Sequence, residues 1–152
     1  MIYLECIPSD CGIRNAIISN YKSIDSRTDA GALFENFVIS ERMKKIQYEK
    51  TYAKGYFWRT TAKSEIDYVE ETDGKLSAFE FKWNPKRKAS IPLAFSRAYP
   101  DTDFNVVTRD NCESFLLKRR RRADSSRRAA MFFSILSEVS IFQSMFQAHQ
   151  SP

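Results

Sequence analysis

Residues Gly55–Lys82, GYFWRTTAKSEIDYVEETDGKLSAFEFK, contain the pattern that decides the fold. Two strand-like segments, Glu65–Glu70 and Leu76–Trp83, flank the dipeptide Asp73-Gly74. An Asp-Gly pair between two such segments is the strongest short-range signal for a hairpin turn whose residues adopt positive φ. The sequence therefore predicts that the two segments pair as an antiparallel hairpin.

The second segment has one apolar face and one charged face, because side chains alternate along a strand. Phe79 and Phe81 share the apolar face, and Glu80 and Lys82 share the charged face. Asp67 lies on the partner segment. A carboxylate beside an ammonium group on an otherwise apolar strand is costly to desolvate unless the groups bind something. A divalent metal ion is the ligand that this charged face suggests.

A helix from about Asp29 to Ile46 is predicted to pack against the sheet. Ser26, Thr28 and Asp29 are candidate N-terminal caps. Glu35 borders the apolar stripe of this helix, where a carboxylate can reach the edge of the sheet. From the helix alone, a solvated glutamate at the helix flank is the favoured interpretation. The apolar residues near helical spacing are Leu33, Phe34, Phe37, Val38 and Ile46.

Further elements fill the domain on either side of the hairpin. Tyr52–Arg59 is rich in bulky residues and is predicted to be a strand, as is Thr102–Thr108. Between them, Pro92–Tyr99 has the pattern of a short amphipathic helix. Strands with helices between them predict an α/β domain with a partly parallel sheet.

The basic character of the chain is confined to its C-terminal part. Of the formal charge of +5, the residues after Leu117 contribute seven basic and two acidic side chains, whereas the first 117 residues hold 17 of each. Overall charge therefore gives no support for nucleic-acid binding by the body. We divide the chain into a domain of residues 1–117 and a tail of residues 118–152.

The tail begins with the basic run Lys118–Arg122 and continues with helical apolar spacing over Met131–Phe146. It is interpreted as a basic linker followed by a loosely attached helical or disordered extension. A membrane-surface helix or a partner-binding helix is the alternative interpretation of this pattern.

Composition argues against a zinc site, a disulfide framework and secretion. The three cysteines form no CxxC pair, and the single histidine is His149. No window of 18 apolar residues occurs, and the N-terminus lacks the basic region and apolar run of a secretory signal. A cytoplasmic location is therefore expected.

Five short motifs together carry a resemblance to a known family. They are DCGIRNA at Asp10–Ala16, GALFENF at Gly31–Phe37, FWRT at Phe57–Thr60, EID at Glu65–Asp67 and EFK at Glu80–Lys82. The combination resembles the domain of unknown function that follows the ATPase module in a large prokaryotic family of predicted AAA ATPases. The likeness extends from about Tyr3 to Phe115. That domain is similar to the PD-(D/E)XK, or restriction-endonuclease-like, nuclease fold, which implies a mixed sheet flanked by helices, here with a C-terminal helical extension.

The resemblance also implies a role for each matched residue. Glu35, Asp67 and Glu80 match the acidic positions that hold the metal, and Lys82 matches the lysine of the E-x-K triplet. Mg²⁺ or Mn²⁺ on these carboxylates would polarise a phosphodiester and acidify bound water, while the lysine positions that water or balances charge in the transition state. Arg59 is either a phosphate contact or a structural partner of the carboxylates. The implied activity is that of a metal-dependent DNA phosphodiesterase.

A non-catalytic interaction or regulatory module of an ATPase is the alternative function. In that case Lys82, Glu80 and Asp67 form a buried ion-pair network. The chain contains no GxxxxGK[ST] loop, so it resembles a detached C-terminal piece whose ATPase module would be a separate partner. No membrane partner is expected.

Overall fold

The computed structural model describes residues 2–3 and 27–117. Its elements, in chain order, are β1 (Ile2–Tyr3), α1 (Ala30–Glu49), β2 (Lys54–Arg59), β3 (Glu65–Thr72), β4 (Lys75–Lys82), α2 (Leu93–Ala98), β5 (Asp103–Thr108) and α3 (Cys112–Leu117). The Asp10–Ala16 motif and the tail after Leu117 lie outside the described residues. No helix within the described part of the chain is both long and apolar enough to cross a membrane.

The strands form one mixed sheet in the order β1-β2-β3-β4-β5. Neighbouring strands are antiparallel from β1 to β4, whereas β4 and β5 are parallel. A parallel pair needs a crossover connection, and α2 lies in the segment that joins these two strands. The predicted α/β domain with a partly parallel sheet is confirmed.

The hairpin between β3 and β4 has the turn that its sequence requires. Asp73 has φ 52° and Gly74 has φ 75°, so both central residues are in the left-handed region. Such a turn matches the twist of antiparallel strands, and Thr72 and Lys75 pair directly beside it. The predicted antiparallel hairpin is therefore confirmed.

Helices cover both faces of the sheet, and each face has its own hydrophobic cluster. The first core cluster joins α1 and α3 to the sheet, and the second core cluster joins α2 to it. The residues of the first are Phe34, Phe37, Val38, Ile39, Tyr68, Phe79, Phe81, Val107, Cys112 and Leu116. Those of the second are Trp58, Ile66, Val69, Ala78 and Phe95. The four phenylalanines expected in the core, on α1 and β4, are all buried.

The N-terminus of α1 differs from the predicted cap. Asp29 occupies the N-cap position, but its side chain makes no capping hydrogen bond. Its carboxylate instead accepts two hydrogen bonds from the Arg27 guanidinium, each at 2.8 Å, because a charged bidentate partner competes with the helix N–H groups. At the other end the helix continues to Glu49 rather than Ile46, and Lys50 closes it in the left-handed conformation at φ 49°.

Candidate functional site

The strands β3 and β4 separate beyond the Tyr68–Phe79 pair, which is the last pair of their ladder. From there β3 stays beside β2, and β4 stays beside β5. At the point of separation the Asp67 carboxylate accepts a hydrogen bond of 2.7 Å from the Phe81 N–H. A side chain thus takes the place of a ladder carbonyl. We term Asp67 together with Glu80–Lys82 the fork.

A bulge in β3 accompanies this separation. Tyr56 pairs with Val69 and Trp58 pairs with Ile66, so a two-residue step on β2 spans three residues of β3. Because of the extra residue, Ile66 and Val69 both belong to the second core cluster, although simple alternation would place them on opposite faces. Asp67 lies within the bulge, and bulges of this kind re-aim side chains beside functional sites.

On the other arm of the fork, Lys82 and Glu80 pair with each other. The Lys82 Nζ lies 2.5 Å from the Glu80 Oε1, and the two side chains are 27% and 16% exposed. Their two-residue spacing on β4 puts them on one face, as the alternation predicts. The Phe81 N–H that reaches Asp67 lies between them in the chain, so the three charged groups are gathered around one peptide.

Helix α1 contributes Glu35 to the same region. The preceding residue, Phe34, is fully buried, and its ring packs edge-on against Trp83, which follows Lys82. Burial and, to a smaller extent, the neighbouring charge of Asp67 raise the pKa of Glu35 to about 7, while the Lys82 charge acts in the opposite direction. Glu35 is therefore more than a solvated flank residue.

Asp67 is the second acid whose protonation equilibrium is displaced. Burial raises its pKa to about 6, against the lowering effect of the Phe81 N–H hydrogen bond, and the Glu80 charge raises it as well. Like charges held out of water disfavour each other's ionised forms. The fork and Glu35 are thus electrostatically coupled.

A buried ion pair fixes α1 along β3. The Arg42 guanidinium donates to both carboxylate oxygens of Glu70, at 2.8 and 2.9 Å. Arg42 lies seven residues after Glu35, a rise of about 10.5 Å along a helix. Glu70 lies three residues after Asp67, on the far side of the bulge. The ion pair joins α1 to β3, and the effect of the Asp67 charge on the pKa of Glu35 indicates that these two acids are near each other.

Arg59 ends β2 and lies opposite Glu65 in the register. Its Nε is 3.7 Å from the Glu65 Oε2, and both side chains are mostly exposed. The Glu65 charge also raises the pKa of both Glu35 and Asp67, so this pair is at the fork end of the sheet. Sequence reasoning assigned no role to Glu65, although it precedes Asp67 by two residues in the EID motif.

The acidic oxygens at the fork suit a hard cation. Mg²⁺ is commonly held by one or two carboxylates and keeps several water ligands. Asp67 and Glu80, with Glu35 coupled to them, supply that donor chemistry. In the structure, the side chains of residues 27–117 form no group of three or more His, Cys, Asp or Glu that could hold a metal ion. Any ion would therefore depend on water for much of its coordination.

Fold and site together define a mixed α/β domain with a carboxylate–lysine fork at one end of its sheet. The model of the family described as "Domain of unknown function (DUF4143)" matches residues 30–125. The chain belongs to this family. The matched range contains α1, β2 to β5 and every candidate site residue. Comparison with curated proteins and comparison with solved structures each found no match.

Proposed function

We propose that this chain is a PD-(D/E)XK nuclease-like domain, of the kind that follows the ATPase module in predicted AAA ATPases, and that its fork hydrolyses a phosphodiester bond of DNA. The observation that supports the proposal is the meeting of Asp67, Glu80 and Lys82 around the Phe81 peptide, with Glu35 on α1 near enough for their charges to change its pKa. Acidic oxygens beside one ammonium group are suited to phosphoryl chemistry, because the reacting group is an anion that needs both a cation and a positioned water.

Asp67 and Glu80, with Glu35 in support, would hold a divalent cation, which would supply a Lewis acid and lower the pKa of bound water. The protein's own part is to position and to balance charge. The Lys82 ammonium, held in place by Glu80, orients the attacking water and offsets the negative charge on the oxygens around phosphorus in the transition state. The attacking water gives up one proton to solvent as its oxygen forms the new bond to phosphorus. The bond from phosphorus to the leaving sugar oxygen breaks, and that oxygen takes a proton from solvent.

Metal binding is the most direct test of this proposal. Titration calorimetry with Mg²⁺ or Mn²⁺ should give a binding isotherm that Asp67→Ala and Glu80→Ala abolish. Asp101→Asn is a matched control, because Asp101 is exposed and precedes β5, whereas the fork lies at the end of that strand. DNA cleavage should follow the same pattern and should also be lost in Lys82→Met. Absence of binding at millimolar metal concentrations would contradict the proposal.

A non-catalytic interaction or regulatory module of an ATPase is the second candidate. One observation favours it: Asp67 already accepts the Phe81 N–H, and Glu80 already pairs with Lys82, so the fork has polar partners within the chain. On this proposal Asp67→Ala and Glu80→Ala lower the free energy of unfolding and leave no metal-dependent signal to lose. The calorimetric experiment therefore separates the two functions.

A further inference from the structure

The loop after β4 presents three consecutive basic residues at the fork end of the sheet. Asn84 forms a tight turn, since its side-chain oxygen accepts the Lys86 N–H and its backbone carbonyl accepts the Arg87 N–H, each at 3.0 Å. Lys86, Arg87 and Lys88 are exposed, and none pairs with an acidic side chain in the described part of the chain. The segment 84–90, NPKRKAS, contains no acidic residue.

Arg109 adds a fourth cation at this end. Lys82 and Thr108 pair in the parallel β4–β5 ladder, so the residues that follow both strands emerge at the same edge. The Arg109 guanidinium carbon lies 5.5 Å from the centroid of the Trp83 ring, which fixes its position. Its side chain is half exposed, and its contact with Asp110, at 3.6 Å, is an exposed pair that contributes little. The guanidinium therefore remains accessible to a ligand.

The net charge of the first 117 residues does not reveal the group of basic residues at the fork end. These residues carry equal numbers of basic and acidic side chains, but segment 84–90 contains none of the acidic ones, and within residues 27–117 the ion pairs of the basic residues at this edge are limited to the exposed Arg109–Asp110 contact. Glu71 and Asp73 lie at the hairpin end, and Asp101 and Asp103 lie where β5 begins. The potential at a surface depends on the distribution of charge as well as on its sum.

We infer that Lys86, Arg87, Lys88 and Arg109, which we term the basic edge, bind the phosphodiester backbone of a nucleic acid and place it beside the fork. Lysine and arginine contacts to phosphates supply sequence-independent affinity by releasing counterions. The inference rests on the proposed function for the choice of ligand, since the adjacent fork suits a phosphodiester. Binding at the basic edge itself requires no metal.

Fluorescence anisotropy with the full chain tests the inference in EDTA, where cleavage is blocked. The probes are a labelled DNA duplex, the matching single strand and an RNA of the same sequence, which distinguish the sources of the backbone. The edge variant is K86Q/R87Q/K88Q, and R109Q is measured separately. The matched control is K50Q/K54Q/K75Q, which removes the same charge from exposed positions near the end of α1 and the hairpin end of the sheet.

The edge variant should bind at least about tenfold more weakly than the wild type, and the slope of log affinity against log salt should fall by about 2–3. R109Q should weaken binding in the same direction, and the control variant should bind like the wild type. Equal binding by the edge and control variants would overturn the inference, as would a wild type that binds none of the probes. Edge-dependent binding without cleavage in Mg²⁺ or Mn²⁺ would support the inference and reject the proposed function. DNA cleavage that the edge variant retains in full would support the proposed function and reject the inference about the basic edge.

Discussion

Glu35 and Asp67 are acids whose pKa values the fold raises, so that both are partly protonated at about pH 6 to 7. Their pKa values rise from 4.5 to about 7 and from 3.8 to about 6, with burial as the largest cause for each. A group that binds protons more tightly when folded stabilises the fold at pH values below its unfolded pKa. That contribution is lost as the pH rises through the folded-state pKa. Without metal, the free energy of unfolding should therefore fall as the pH rises from about 4 to about 7.

Glu35→Gln should therefore raise the free energy of unfolding at about pH 8, by about 1–2 kcal/mol after allowance for solvent screening. At about pH 4 the substitution should have little effect, because Glu35 is then mostly neutral in both the folded and the unfolded state. Urea unfolding in EDTA at the two pH values measures the difference. An equal effect at both would show that Glu35 acts through packing rather than through charge.

Gly55 is required by the ring of Tyr68. A Cβ at Gly55 would lie 2.8 Å from both the Cε2 and the Oη of Tyr68, which is 1% exposed. Gly55→Ala should destabilise the fold by about 1–3 kcal/mol through overpacking. Gly31→Ala is the control, because nothing lies within 4 Å of the new methyl group in α1, and it should be neutral or stabilising. Thermal melts that rank the two variants equally would contradict the argument.

Among the elements, those with local signals were predictable from the sequence. The hairpin follows from Asp73-Gly74 and from strand alternation, and both are properties of adjacent residues. The bulge in β3 was not predictable, because it depends on how Tyr56 and Trp58 pair across two strands. The six-residue helix α3 was missed, since so short an apolar segment has no distinct period.

In the candidate site, too, features set by adjacent residues were predictable and features set by tertiary contacts were not. The alternation on β4 places Glu80 beside Lys82, and the structure pairs them. The displaced pKa of Glu35 depends on tertiary burial, and the helix pattern alone favoured a solvated side chain. The pairing of Arg42 with Glu70 joins residues far apart in sequence, so no local pattern could reveal it.

The ion pair between α1 and β3 should be important for stability. The Glu70 side chain is 5% exposed, and Arg42 also donates to the Phe115 carbonyl of α3 at 3.4 Å. Arg42→Met leaves a buried carboxylate unpaired and should cost about 3–5 kcal/mol. The double variant R42M/E70L should recover part of this loss, because both charges are then absent.

Urea unfolding of the two single variants and the double variant gives the coupling free energy. Arg59→Met serves as the control, since the Arg59–Glu65 pair is mostly exposed and should contribute at most about 1 kcal/mol. A loss in Arg42→Met no larger than that of the control would show that the ion pair does not fix α1 on β3.

For the whole molecule, the boundary of the folded unit depends on how α3 closes the first core cluster. Leu116 is fully buried, and the Phe115 ring lies 4.8 Å from that of Phe79. The chain up to Leu117 therefore contains a helix layer on each face of the sheet.

A chain that ends at Leu117 should consequently unfold in one cooperative transition, with a Tm within about 4 °C of the full-length value. In a domain of this length, a Tm shift of that size corresponds to less than about 1 kcal/mol in the free energy of unfolding. A second chain that ends at Ser125, the last residue of the family match, is the comparison. If both shortened chains melt like the full-length protein, residues 118–152 lie outside the cooperative unit. If only the shorter one is destabilised, residues 118–125 complete the domain. A loss of more than about 10 °C in both would mean that the apolar stripe of the tail contributes to the core, and the boundary at Leu117 would be wrong.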